Sequence, residues 1–451
     1  IVILLAQIQM AFNVFAIPVS VGAIVEDFGV SPTDIGTALV IYSLFVAAFV
    51  MVGAKIGRLF GERLVFQVSA LIHGVSMALM AFSQNLNMMY LAQGLAGLAA
   101  ALLVPTLVVL IVSNYRGKQQ AQALGILAGT PAISGALAYF VAGVSSTLLS
   151  WRFTFGLLMA LSVAVIFLSF RLKSIPKQSD ISIDLVGTLL SAAGIIMISM
   201  GFNNLNYWGL FNASENAPFT LLGLSPALFM IILGVVFFQA FFFWIYRRIK
   251  MKKTPILDPS VLETREERAN ITAMLIIGAI ASAVTFLIPI YIQVVQDRSS
   301  LFTAIAVIPY TLSVAISAIM VVRLFNRIPV RKVALISFLI VTFGLAMLGV
   351  TISNEWSKAI IILFLILVGL GEGTLLTLLF NVMASASPKE ASGDVGALRG
   401  VANNLATGLG TAFASLAAVG LLSFYITNTI PMVNIPDRIT DQLSLDNIDF
   451  I

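Results

Sequence analysis

Residues 34–81 read DIGTALVIYSLFVAAFVMVGAKIGRLFGERLVFQVSALIHGVSMALMA. Two apolar runs, 35–54 and 65–83, flank a short connector, Lys55-Ile56-Gly57-Arg58-Leu59-Phe60-Gly61-Glu62-Arg63, that carries four charges. A membrane helix needs about 20 mostly apolar residues to cross the hydrocarbon layer. The stretch therefore reads as two membrane-crossing helices joined by a charged turn. A soluble core would not tolerate apolar runs of this length so close together.

Working outward, the same unit recurs along the chain. Apolar stretches lie at 1–25, 35–54, 65–83, 88–112, 121–147, 153–170, 185–205, 223–246, 270–295, 301–322, 333–352, 359–385 and 395–425. Turn clusters such as Val30-Ser31-Pro32-Thr33-Asp34 and Ser387-Pro388-Lys389-Glu390 separate them. Hydrophobic residues make up 59% of the 451 positions and charged residues 10%, against about 25% charged in soluble domains. Most of the surface must face lipid, so the expected fold class is all-α integral membrane.

Alternate connections differ in charge. One set holds Lys55, Arg58, Arg63, Arg116, Lys118, Arg171, Lys173, Lys177, the basic run from Arg247 to Arg268, Arg323, Arg327, Arg331, Lys332, Lys389 and Arg399. The other set holds only Arg152, Arg298, Lys358 and Arg438. By the positive-inside rule the first set is cytoplasmic, and so is the amino terminus. The net charge of +5 thus reports topology, not nucleic-acid binding. Thirteen spans leave the polar tail 427–451 on the opposite side, where it could meet an extracytoplasmic partner protein. The start at Ile1 inside an apolar run reads as trimmed, and a fourteenth helix is expected beyond Ile451.

Several chemistries are excluded. The chain has no cysteine and a single histidine, His73, so disulfides, thiol chemistry and multi-histidine metal centres are out. There is no GxxxxGK[ST] phosphate loop and no hydrolase triad. The expectation is no enzyme, no metal and no cofactor. The solute is a small molecule and the other partner is membrane lipid.

Local strings carry a family resemblance. They are Ala16-Ile17-Pro18 with Glu26-Asp27-Phe28, Ser150-Trp151-Arg152-Phe153-Thr154-Phe155, Asp184-Leu185-Val186-Gly187, Tyr207-Trp208-Gly209, Pro255-Ile256-Leu257-Asp258 and Ile288-Pro289-Ile290-Tyr291-Ile292-Gln293. Their order and spacing resemble the fourteen-spanner drug:proton antiporter branch of the major facilitator superfamily. The resemblance implies two six-helix bundles with two linker helices inserted between them. The units are then 1–171, a six-helix bundle; 172–268, two linker helices with a cytoplasmic loop; and 269–451, an incomplete second bundle with its tail. It implies a solute site near the midplane, exposed alternately to each side, in a multi-pass protein of the bacterial inner (plasma) membrane.

The loop 55–63 resembles the superfamily string G-x-L-a-D-R-x-G-R-K, with Arg58 at the aspartate place and Glu62 at a basic place. Its pseudo-repeat has Asn326 at the acidic place, between Arg323 and Arg327. Lys55, Arg58, Glu62, Arg63, Arg323, Asn326 and Arg327 are read either as an inner gate or as topology-setting charge. Within the spans, Gln9 and Gln93 stand where the family often carries an aspartate and an arginine, and Tyr139 stands in place of the helix-five proline. Neutral amides do not titrate near pH 7. The deep acid that remains is Glu372, between Gly371 and Gly373. Intramembrane acids are functional by default, and this one is read as the coupling group. Gln9, Asn13, Gln93, Tyr139, Glu372 and Asn381 are the expected cavity residues, with cross-helix structural bonds as the competing reading for the amides. His73 reads as a packing partner. The expected function is secondary active export of amphipathic or lipophilic small molecules by alternating access, in exchange for protons through Glu372. The alternatives are a proton-independent facilitator or solute antiporter, and a non-transporting sensor or structural subunit.

Overall fold

The computed structural model describes the whole chain except residues 176, 178–182, 221, 258, 322–327, 353–358, 387–391 and 430–451. For some helical residues in 117–128 and 384–429, and for residues 206 and 260, the backbone alone is described. The described chain is helical throughout, apart from one isolated bridge between Asn212 and Leu224.

The helices are α1 (Val2–Val19), α2 (Val21–Phe28), α3 (Pro32–Phe60), α4 (Glu62–Ala81), α5 (Leu86–Asn114), α6 (Gly117–Leu148), α7 (Trp151–Ser169), α8 (Leu185–Asn203), α9 (Leu205–Trp208), α10 (Pro226–Lys250), α11 (Arg265–Ile290), α12 (Ser300–Val321), α13 (Val330–Thr351), α14 (Ala359–Ala386) and α15 (Ser392–Thr429). Each of the thirteen expected spans contains one long helix. Twelve of these are long and apolar enough to cross a membrane among the described residues, and the thirteenth expected span falls on α15. Helical spans satisfy every backbone polar group internally, as lipid requires.

The first span is not one helix over 1–25. It breaks at Ser20 (φ −90°, ψ 1°) into α1 and α2. Pro18 lacks the N–H that would bond one turn back, so the ladder is already thinned before the break.

Side chains set the starts of several helices. Ser31 and Asp34 form a capping box on α3, and Thr264 and Glu267 form another on α11. Asn85, Ser150, Asp184 and Ser225 cap α5, α7, α8 and α10. Each such cap stabilises its helix by about 1 kcal/mol.

One bundle comprises α1 to α7 and the other α11 to α15. They meet along two seams, α3 against α15 and α6 against α12. The linker helices α8 and α10 pair with each other, and α8 also lies on α3 and α15. Small residues permit the close crossings, because in lipid helix contact rests on van der Waals packing. Gly53 sits against the Ala101 carbonyl and Gly97 against the Tyr42 carbonyl, joining α3 to α5.

The linker pair is fastened by Asp184. Its side chain caps Gly187 (3.0 Å), accepts from Trp244 Nε1 (2.9 Å) and lies 3.6 Å from Arg248 Nε. The aromatic run 237–246 lies on α10 and is divided between buried and exposed positions. Phe243 and Tyr246 are exposed, while Phe241 and Ile245 are buried. In the following loop Ile256, Leu257 and Val261 are buried.

Consecutive spans alternate in direction, which defines two faces. On the face carrying the amino terminus (the near face), Arg63 donates to the Phe170 carbonyl (2.9 Å) and Lys55 pairs with Asp394 (3.5 Å). On the opposite (far) face, Arg152 pairs with Asp27 (2.7 Å), donates to the Ser83 carbonyl (2.6 Å) and lies over the Trp151 ring (4.5 Å).

Candidate functional site

A cavity of about 200 Å³ lies between the bundles. Its walls come from α1, α6, α11, α12, α14 and α15, with Phe15, Pro131, Ser282, Tyr310, Glu372 and Asn403 among the lining side chains. The lining is mostly apolar, as small-molecule sites usually are, with a few convergent polar groups. Among the described residues that line it, Glu372 is the only carboxylate and there is no lysine, arginine or histidine.

The position of Glu372 follows from the glycines around it. Gly369 and Gly373 press against the Tyr310 and Val314 carbonyls of α12, and Gly371 against the Ser337 carbonyl of α13. These glycines admit neighbouring backbones, and the close approach carries Glu372 to Tyr310, whose hydroxyl donates to Oε2. The other oxygen, Oε1, has no hydrogen-bond partner among the described residues, although Glu372 is only 1% exposed. A buried carboxylate with one open oxygen and no counter-charge is costly, and the open oxygen is available to a proton or to a donor group on a solute.

Tyr139 approaches from the other bundle. It is fully buried, packs on Phe15 (ring centroids 6.0 Å apart) and lies within electrostatic reach of Glu372. Its hydroxyl also lacks a hydrogen-bond partner among the described residues. On the same face of α6, Gly143 touches α12 at Ala304 and Ser300, and Thr147 Oγ1 accepts from the Leu301 N–H (3.1 Å). Tyr139 itself is not among the lining residues.

The remaining expected cavity residues lie elsewhere. Asn13 and Gln93 exchange two hydrogen bonds (2.9 and 3.1 Å) inside the first bundle, both fully buried. Gln9 accepts from Ser162 Oγ (3.0 Å), and His73 Nδ1 lies 3.5 Å from the same hydroxyl. These amides tie α1 to α5 and α7, away from the cavity wall. Asn381 is exposed and donates to the Thr377 carbonyl of its own helix (2.8 Å).

Of the expected gate residues, Lys55 bridges the bundles by pairing with Asp394, both side chains being 12% exposed. Glu62 is buried with its carboxylate against Gly57 and beside Arg58. Arg63 holds the Phe170 carbonyl within its own bundle. Arg323, Asn326 and Arg327 lie outside the described residues. The sequence reading missed Tyr310, which nothing distinguishes inside an apolar span. It also missed Asp394, an acid at a helix start whose partner lies over 300 residues away.

Comparison with known proteins follows the same lines. The chain is 24% identical over 441 residues to a puromycin resistance protein of Streptomyces alboniger, covering 95% of this chain and 83% of that one. It is 25% identical to a multidrug efflux pump, LfrA, of Mycolicibacterium smegmatis, covering 98% and 82%. A multidrug transporter, MdtP, of Bacillus subtilis is 23% identical over 78% of this chain, which spans only 63% of that protein. Among solved structures, the xylose transporter XylE of E. coli in a partially occluded inward-open conformation superposes with a TM-score of 0.58 (11% identity; 95% and 98% covered). A peptide transporter, POT, in complex with sulfate superposes with 0.62 (15% identity; 92% and 87% covered). These likenesses establish the fold. The family model for the Major Facilitator Superfamily matches residues 3–411, so this multi-pass membrane chain belongs to the Major Facilitator Superfamily.

Proposed function

We propose that the protein is a secondary transporter that exports amphipathic or lipophilic small molecules by alternating access, in exchange for protons carried by Glu372. The observation that carries the reading is the cavity itself: mostly apolar, between the two bundles, with one carboxylate whose second oxygen is open. An apolar wall selects for hydrophobic bulk and leaves the solute's exact shape loosely specified. The relatives named for puromycin resistance and multidrug efflux support export. The charge asymmetry of the connections supports a cytoplasmic near face in a plasma membrane. The packing supports units at 1–171, 172–268 and 269–451. Lys55 with Asp394 serves as the near-face gate, flanked by Arg58, Glu62 and Arg63.

In this scheme the proton and the solute compete for Glu372. Tyr310 keeps one carboxylate oxygen bonded in either state, and the other is filled by whichever ligand is present. Rocking carries the site from one face to the other.

The test is reconstitution into liposomes with a pH-sensitive dye inside, screened with lipophilic cations, neutral drugs and organic anions. Glu372→Gln is expected to abolish pH-driven flux while solute binding persists. Unchanged pH-driven flux would remove Glu372 from the mechanism. A proton-independent exchanger is the second reading, favoured by the neutral, mutually bonded Asn13 and Gln93 amides. It requires that counterflow survive collapse of the pH gradient in Glu372→Gln.

A further inference from the structure

At the far face, one side chain joins four elements. Gln293 lies in a π-helical turn, Tyr291–Val295, that follows α11. Turns of this kind re-aim single side chains and concentrate at functional sites. Gln293 is 8% exposed and points at the break between α1 and α2. Its Oε1 accepts from the Gly22 N–H (3.0 Å), and its Nε2 donates to the Pro18 carbonyl (3.2 Å). Ser300 Oγ, at the start of α12, donates to the same Oε1 (3.2 Å).

The two backbone groups it holds are not an arbitrary pair. In an unbroken α-helix the Gly22 N–H would bond the Pro18 carbonyl, because helical bonds run from each N–H to the carbonyl four residues earlier. At the break by Ser20 the Pro18 carbonyl accepts a backbone N–H of the cap, and the Gln293 amide adds a second donor to it while taking the Gly22 N–H. Side chains inserted into the helical ladder are a known cause of kinks. Gly22 leaves the room: a Cβ there would sit 3.0 Å from Gln293 Oε1. Ser146 of α6 also reaches the break, donating to Ser20 Oγ (2.9 Å). The far ends of α1, α2 and α6 therefore meet those of α11 and α12 around one amide.

We propose that Gln293 is the latch of the far-face gate: it holds the two bundles together there by bonding the Gly22 N–H and the Pro18 carbonyl at the break between α1 and α2, and it withdraws when that face opens. The inference rests on the two-bundle fold and on rocking, and not on the identity of the solute or on proton coupling.

The native chain has no cysteine, so spin labels can be placed at Glu26→Cys and Arg298→Cys, both exposed on the far face. Pulsed EPR distances on the full chain in lipid nanodiscs read the gate without solute or pH gradient. The unmodified latch is expected to give a dominant short distance. Gln293→Ala removes the two backbone bonds and the Ser300 bond, and should raise the long-distance fraction relative to the short by tenfold or more. Gly22→Val, which displaces the amide without altering Gln293, should do the same. An unchanged distance distribution in either variant that folds to a monodisperse protein would overturn the latch. Absence of drug flux in the unmodified protein, with the expected distance shift in the variants, would count against the transport reading alone.

Discussion

Tyr139 and Glu372 lie within electrostatic reach of each other on opposite bundles, each with an oxygen unpartnered among the described residues in a buried setting. A buried hydroxyl without a partner costs roughly 1–3 kcal/mol. Tyr139→Phe should therefore raise the thermal stability of the purified protein by about 1 kcal/mol, while slowing pH-driven flux. Unfolding curves in detergent together with liposome flux check this. A stabilised variant with full flux would make the hydroxyl idle. The Asn13–Gln93 pair predicts the opposite pattern. Asn13→Leu strands a buried amide and should cost about 1–2 kcal/mol. Asn13→Leu with Gln93→Leu should recover part of that loss, a coupling that a double-mutant cycle measures. The sequence located these residues on spans but could not say which way each points. Gln9, Asn13 and Gln93 share polarity with cavity residues, and only their partners on α5 and α7 assign them to the bundle interior. Glu372 was legible because a carboxylate deep in an apolar run has few structural reasons to be there.

Among the elements, α8 and α10 show how one carboxylate sets the geometry of a pair. Asp184 caps α8, binds Trp244 and faces Arg248, all at once. Asp184→Ala removes the cap and breaks an ion pair that is largely shielded from water. We expect a loss of about 2–4 kcal/mol, the sum of a cap and a broken partly buried pair, seen as a lower unfolding midpoint. An unchanged midpoint would mean that the linker pair stands on apolar packing alone. Element positions were readable in advance, since each apolar stretch became a helix. The break at Ser20 and the π turn at Tyr291–Val295 were not. The two meet through contacts 271 and 275 residues apart in sequence, which no local pattern encodes.

For the molecule as a whole, both faces are held across the bundles, by Gln293 on the far face and by Lys55–Asp394 on the near face. Alternating access requires these ties to yield in turn. Lys55→Gln, which removes the near-face ion pair, should lengthen spin-label distances on the near face and leave the far face closed. A variant that opened both faces together would contradict a rocking mechanism and would make the chain leaky to protons. The two-bundle architecture with inserted linkers was legible from charge alternation and local strings. The pairing of bundles through specific side chains was not, because seams form between segments far apart in the chain.

The linker helices also change what the lipid sees. A two-bundle molecule alone would present two equivalent seams to the bilayer, α3–α15 and α6–α12. Here α8 lies on α3 and α15, with α10 outside it. The pseudo-twofold symmetry is therefore lost at the membrane-facing surface. A hydrophobic molecule diffusing sideways within a leaflet meets a double wall at one seam and bare helices at the other. Any lateral doorway to the cavity is then single, and it has an address: the α6–α12 seam, which Gly143 and Thr147 hold shut against α12.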